Sequence, residues 1–192
     1  MSASSLLRLA RHQRGASQRT LARLANVSQP GIAAVESGAH DTTVSRLEQL
    51  LAALNQQIIL LPSYCGPVWE AAAHIRIALQ EVGPGDRAFR RVIQLSDDLA
   101  REGGAVRVSL AVTEPAPIGD IRWDALVAGV VDYWLTVDNL PRPDWLDDPR
   151  FTLSDPWTLE PVPSLQDDAR RRTPTAIRRH GVFLAKSELE SV

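Results

Sequence analysis

Between Ser17 and Gly38 the chain reads SQRTLARLANVSQPGIAAVESG, and few backbone paths fit this order of residues. Ser17 suits a helix N-cap, because its hydroxyl can accept from an unpaired amide of the first turn. Leu21, Leu24 and Ala25 fall at i, i+3 and i+4, which predicts one apolar stripe. Asn26 can take the left-handed conformation that ends a helix. Ser28 can cap again, and Pro30 follows in the first turn, where a missing N–H costs little. Ile32 and Val35 are expected to face inward, and Gly38 to stop the second helix. Two short helices joined by a sharp turn result.

This is a helix-turn-helix pattern. Ser17-Gln18, Leu21-Ala22, Ser28-Gln29, Ile32 and Glu36-Ser37-Gly38 together resemble the Cro/C1-type (Xre-like) DNA-binding domain, with nearly every pattern position at the expected spacing. The resemblance implies a lambda-repressor-like fold with the second helix in the major groove. It places Gln18 and Arg19 against backbone phosphate, and a helix start suits that role. The outward positions of the second helix are Ser28, Gln29, Pro30, Gly31, Ala33 and Ala34. Gln29 is the one long hydrogen-bonding reader, suited to adenine N6 and N7, whereas Pro30, Ala33 and Ala34 offer apolar contact alone. His40, Thr42 and Thr43 fall in the loop that lies against the backbone in the family. So sparse a reading face predicts weak binding to one half-site, with pairing of two half-sites or DNA shape making up the difference, and a homodimer on an inverted repeat in double-stranded DNA is expected.

Around this motif, Ser4 or Ser5 is expected to cap a first helix running to about Arg14, with Leu6, Leu7 and Ala10 buried. Arg8, Arg11 and Arg14 recur every third residue, as a phosphate-facing row or a solvated face. Thr43 caps a further helix, on which Leu47, Leu50, Leu51 and Leu54 make an amphipathic stripe. Ile58 to Leu61, four apolar residues before Pro62, predict a short buried strand in need of a partner. The turn-forming residues from Pro62 to Pro67 read as a linker.

Beyond it the composition changes. All five tryptophans (69, 123, 134, 145 and 157) lie in the remainder, which argues for a separate core. The domains expected are 1–62, a linker 63–68, and 69–192, and the class is mainly α, the C-terminal domain mostly helical with short strands. Helices are expected over 68–82, from a cap at Asp86 to about Glu102, and from Asp120 or Asp124 to Val137, with breaks at Gly83-Pro84-Gly85 and Gly103-Gly104. Val106, Val108, Leu110 and Val112 alternate, which by period says strand, a short helix being the alternative. Residues 139–163 include six prolines, which prevent long helices. Their aromatic side chains Trp145, Phe151 and Trp157 predict packing over a core rather than disorder. Thr173-Pro174 starts a helix, and Val182 to Leu184 reads as a strand.

Residues 1–62 carry six arginines and three acids, whereas the rest carries fifteen bases and twenty acids. A basic head on an acidic body suits a protein that meets phosphate at one end. No apolar run is long enough for a membrane span, and Arg8, Arg11 and Arg14 interrupt any signal-peptide core. Cys65 is the single cysteine, which excludes a disulfide framework and fits the cytoplasm. His12, His40, His74 and His180 are scattered, so neither metal nor cofactor is expected. No nucleophile elbow, P-loop or dinucleotide fingerprint occurs, and the paired aspartates read as solvated faces, so no enzyme is expected.

The whole layout resembles antitoxins of type II toxin–antitoxin systems, in which a Cro/C1-type head joins a tryptophan-rich helical body. The resemblance rests on the ending TPTAIRRHGVFL (173–184). It implies a transcription regulator that represses its own operon and holds a nucleotidyltransferase-like toxin after Pro67. Trp145, Phe151, Trp157, Arg178, Arg179, His180 and Phe183 are the candidate partner-binding residues. The alternative is a body that senses a small-molecule ligand in an aromatic-lined pocket.

Overall fold

The computed structural model describes residues 2–81 and 84–189. The expected helix end at Val82 and the break at Gly83 lie outside the described residues. Backbone contacts divide the chain into two units, Met1–Leu61 and Pro62–Val192.

The first unit holds four helices: α1 (Ala3–Gln13), α2 (Gln18–Leu24), α3 (Gln29–Ser37) and α4 (Val44–Ala52). Their starts are set by local chemistry. The hydroxyls of Ser17, Ser28 and Thr43 accept from the amides of Thr20, Gly31 and Arg46. Asn26 lies at φ +53°, turning the chain between α2 and α3, and Gly38 closes α3 at φ +75°. Ser2, rather than Ser4 or Ser5, caps α1. Ser5 completes a capping box from the third helical position, where its hydroxyl serves the cap amide.

The core of this unit is aliphatic: Leu7, Ala10, Leu21, Ala22, Ile32, Leu47, Leu50, Leu51 and Leu54. Leu24 was expected to join it but is 53% exposed. The buried stripe of α2 runs through Leu21, Ala22 and Ala25 instead, because the sharp turn after α2 leaves the side of Leu24 uncovered. The expected strand at 58–61 does not form. The segment is irregular, with Ile59 64% and Leu60 91% exposed. A strand needs a ladder partner, and none pairs with it among the described residues.

The second unit contains six helices among its described residues: α5 (Val68–Leu79), α6 (Pro84–Arg101), α7 (Gly104–Ala111), α8 (Ile121–Val137), α9 (Pro163–Arg172) and α10 (Thr175–Arg179). Two short strands, β1 (Trp157–Thr158) and β2 (Val182–Phe183), pair in parallel with Trp157 opposite Val182. The chain is therefore mainly helical, with a larger C-terminal unit bearing two short strands. The buried residues of α8, from Trp123 to Leu135, form its spine. Gly129 lets the backbone of α10 approach closely, since a Cβ there would lie 3.2 Å from Ile177 Cα.

Residues 104–111 are helical, not a strand. The helix buries Arg107, Leu110 and Ala111 on one side. Arg107 donates to the carbonyls of Glu102 and Trp134 and to the carboxylate of Asp138. Asp86 lies inside the first turn of α6 rather than capping it. Helix α9 had no counterpart in the sequence reading. It starts with Pro163 and is polar along most of its length, burying Ala169 alone, so no apolar stripe announced it. The stretch expected as a linker is tied to the second unit, where the Ser63 hydroxyl and the Tyr64 amide both donate to Glu102 Oε1.

Candidate nucleic-acid interface

The central group of the first unit is Glu36, near the end of α3 and 3% exposed. Its carboxylate accepts from Arg11 Nε at 2.7 Å, from Arg11 Nη2 at 2.9 Å and from Gln18 Nε2 at 2.9 Å. Burial pushes the Glu36 pKa up, but the hydrogen bonds from Arg11 and Gln18 outweigh it and hold the carboxyl below its ordinary range. The same pairing raises the pKa of Arg11.

This network orients Gln29. A carboxylate only accepts, so Gln18 turns its amide nitrogen toward Glu36 and its oxygen outward. That oxygen accepts from Gln29 Nε2 at 3.2 Å. Gln29 is thereby left with its carbonyl oxygen and one N–H free at the exposed start of α3. Those are the two groups that a bidentate contact to adenine requires. Gln18, expected as a phosphate contact, is half-buried and holds Gln29.

The other candidates fall around α3. Arg19 is exposed on the first turn of α2. Ser28, Pro30 and Gly31 are exposed, and Ala33 and Ala34 half-buried. The Ser28 hydroxyl is engaged as the α3 cap and that of Thr43 as the α4 cap. His40 is exposed, and with Pro30, Gly31, Ala34 and Arg46 it borders an open groove of about 760 Å3 beside α3. The start of α3 thus presents small residues around one long polar side chain, Gln29.

The arginine row of α1 is engaged in part by the unit itself. Arg8 donates to the Glu36 carbonyl, Arg11 to the Glu36 carboxylate and the Ala16 carbonyl, and Arg14 to the Leu54 carbonyl at 2.7 Å. These three side chains gather helix ends. Arg8, Arg14, Arg19, Arg23 and Arg46 are all exposed, and Arg11 alone of the unit's six arginines is half-buried. Spacing along α1 revealed a shared face but not its partner, because Glu36 lies 25 residues further on.

In the second unit the partner-binding candidates separate. Trp145 (6% exposed), Phe151 (1%) and His180 (2%) are core residues and present no surface to a partner. The Trp145 indole donates to the Ala111 carbonyl at 2.9 Å, its ring meeting Phe151 edge-on. His180 Nδ1 donates to the Phe151 carbonyl at 2.8 Å, while its Nε2 lies 3.4 Å from Asp132. Asp132 is fully buried and accepts from Arg142 at 2.6 Å, with Arg179 3.5 Å away. Arg178 and Arg179 are exposed, and Trp157 and Phe183 half-buried.

Among the described residues no group of three or more His, Cys, Asp or Glu side chains is placed to hold a metal ion. Nor is any described helix long and apolar enough to cross a membrane.

Residues 3–59 match a family model described as a helix-turn-helix domain. The match covers α1 to α4 and stops before α5. No curated protein and no solved structure matches the chain.

Proposed function

Starting from an N-terminal unit that is a DNA-binding helix-turn-helix regulatory domain of the Xre/Cro kind, we propose that the protein binds its own operator and represses its own transcription. The observation that carries this reading is the Glu36–Gln18–Gln29 chain of hydrogen bonds. It costs a buried carboxylate to hold one amide outward at the start of α3, which is worth maintaining where the amide reads a base edge.

The protein acts on DNA as a dimer. One long reader per head addresses too few bases, and two heads on an inverted repeat double the contacts. The exposed run Ile59, Leu60 and Leu61 supports this, since an apolar stretch left open to water gains by being covered. The second unit holds a toxin in the cytoplasm, with no catalytic step of its own. The resemblance of residues 173–184 to an antitoxin ending supports this role, and Trp157, Arg178, Arg179 and Phe183 supply the accessible surface.

The test is binding of the full chain to its own upstream DNA against scrambled DNA at two salt concentrations. Selective binding that weakens with salt supports the reading, and equal binding to both sequences refutes it. For the toxin role, the product of an adjacent gene is co-expressed. Copurification with relief of growth arrest supports the role, and arrest that persists in the presence of the chain refutes it.

A further inference from the structure

The geometry points to a binding site for a small aromatic carboxylate in the second unit, between the end of α5, the start of α8 and β1. A cavity of about 580 Å3 opens there, within the roughly 300–1,000 Å3 usual for small-molecule sites. Leu79 and the buried Ile118 supply apolar surface, and Trp123 and Trp157 line it with their rings 5.9 Å apart and tilted by 55°. A planar ring fits beside such a pair.

Two donors without a protein partner among the described residues border the cavity. Trp123 is 6% exposed and lines the cavity, so what remains accessible of it faces that space. Among the described residues its indole N–H meets no acceptor, and it is not among the buried side-chain atoms left unpaired, so it keeps some access to solvent. Trp134 and Trp145, by contrast, donate to the Ser96 hydroxyl and the Ala111 carbonyl, each at 2.9 Å. An accessible N–H at a cavity wall can exchange its water for an acceptor from outside. The second donor is Arg76, exposed on α5 at the cavity rim and without an ion-pair partner among the described residues.

Charge fixes the class of ligand. Arg122 also borders the cavity and lies over the Trp157 ring at 5.5 Å. It is already neutralised, donating to Asp120 through Nε at 3.1 Å and Nη2 at 2.7 Å. One free guanidinium remains, beside a carboxylate that repels excess negative charge. That balance accepts a monoanion and disfavours a phosphate dianion. In the proposed complex a ring packs beside the two tryptophans, and its carboxylate pairs with Arg76 and accepts from the Trp123 N–H. The site is independent of the DNA-binding reading.

The test is calorimetric titration of the full-length protein with 2-naphthoate, with neutral 2-naphthamide and adenosine monophosphate as controls. Saturable 2-naphthoate binding is expected, with the amide and the nucleotide each at least about tenfold weaker. Arg76→Gln, on an exposed position that leaves the fold intact, is expected to lose about tenfold toward 2-naphthoate and little toward the amide. Trp123→Phe keeps the ring, removes the N–H and is expected to lose several-fold. No saturable binding at millimolar 2-naphthoate overturns the inference. So do equal affinity for acid and amide, tighter binding of the nucleotide, or an unchanged affinity in Arg76→Gln.

Discussion

Arg11→Met should invert the pH response of the DNA-binding head. The Arg11 side chain is 11% exposed and that of Glu36 3%, so the variant leaves a carboxylate buried without its cation. Breaking a buried pair this way costs about 3–5 kcal/mol. At about 0.05–0.15 kcal/mol per residue, a unit the size of Met1–Leu61 has only roughly 3–9 kcal/mol in all. The wild-type carboxyl is held below its ordinary pKa, so its stabilisation is present above about pH 4.3 and is lost as pH falls through the depressed folded value. In Arg11→Met burial dominates and pushes Glu36 upward, so the variant gains stability as pH falls from 7 toward about 5. Arg11→Met combined with Glu36→Leu removes both charges and should recover most of the loss. The assay is urea unfolding of the full chain. Residues 1–61 contain no Trp, Tyr or Phe, so tryptophan fluorescence follows the second unit, and far-UV circular dichroism minus that transition isolates the head. A variant that loses less than about 1 kcal/mol, as an exposed pair would, or one without a reversed pH response, refutes the argument.

Gln29→Ala should lower discrimination between operator and scrambled DNA, whereas Arg19→Ala should weaken both and flatten the salt slope by about 0.9, the share of one phosphate. Equal losses on both sequences from both variants would count against the placement of α3. Gly181→Ala should destabilise the second unit by about 2–5 kcal/mol, read from the fluorescence midpoint in urea. Its φ is +72°, and the added Cβ would sit 2.8 Å from the Leu153 carbonyl oxygen. Asp132 is pushed up by burial but drawn further down by His180 and Arg142, so its pKa is lowered. Its contribution is therefore present above about pH 3.9 and lost on acidification below it. Asp132→Asn should remove that acid-side slope and cost about 2 kcal/mol at neutral pH, kept low because the Arg142 side chain is 28% exposed. Ile59→Ser with Leu60→Ser should abolish dimers in sedimentation, and an unchanged mass would count against a role for that run.

What could be read from the sequence is what neighbours in the chain decide. Ser17, Ser28, Thr43 and Gly38 cap helices by contacts within a few residues, and all four act where the spacing put them. Asp120 caps α8 for the same reason. Distant partners were invisible. The spacing of Arg8, Arg11 and Arg14 gave a face but not its carboxylate, and Gln18 could not be read as the support of Gln29. Short apolar runs misled because period alone does not supply a neighbour. Ile58 to Leu61 has no ladder, and the alternation of 106–112 yields to a helix that buries Arg107 against Trp134 and Asp138. The packing expected of the aromatic side chains in residues 139–163 holds at Trp145 and Phe151, drawn inward by the area they remove from water, and that burial takes them off the partner surface that the resemblance implied.

The sparse face of α3 has a consequence for how such a regulator diverges. Ala33, Ala34 and Gly31 carry no long side chain, and an open groove runs beside Pro30, Gly31 and Ala34. At Ala34 a longer polar residue can extend over that groove without displacing Ile32 from the core. At Gly31 the Ser28 hydroxyl stands 3.1 Å from a new Cβ, so a change there disturbs the cap. Duplicated copies of the gene can therefore acquire separate operators through single codon changes at Gln29 or Ala34, while the Arg11–Glu36–Gln18 frame stays untouched.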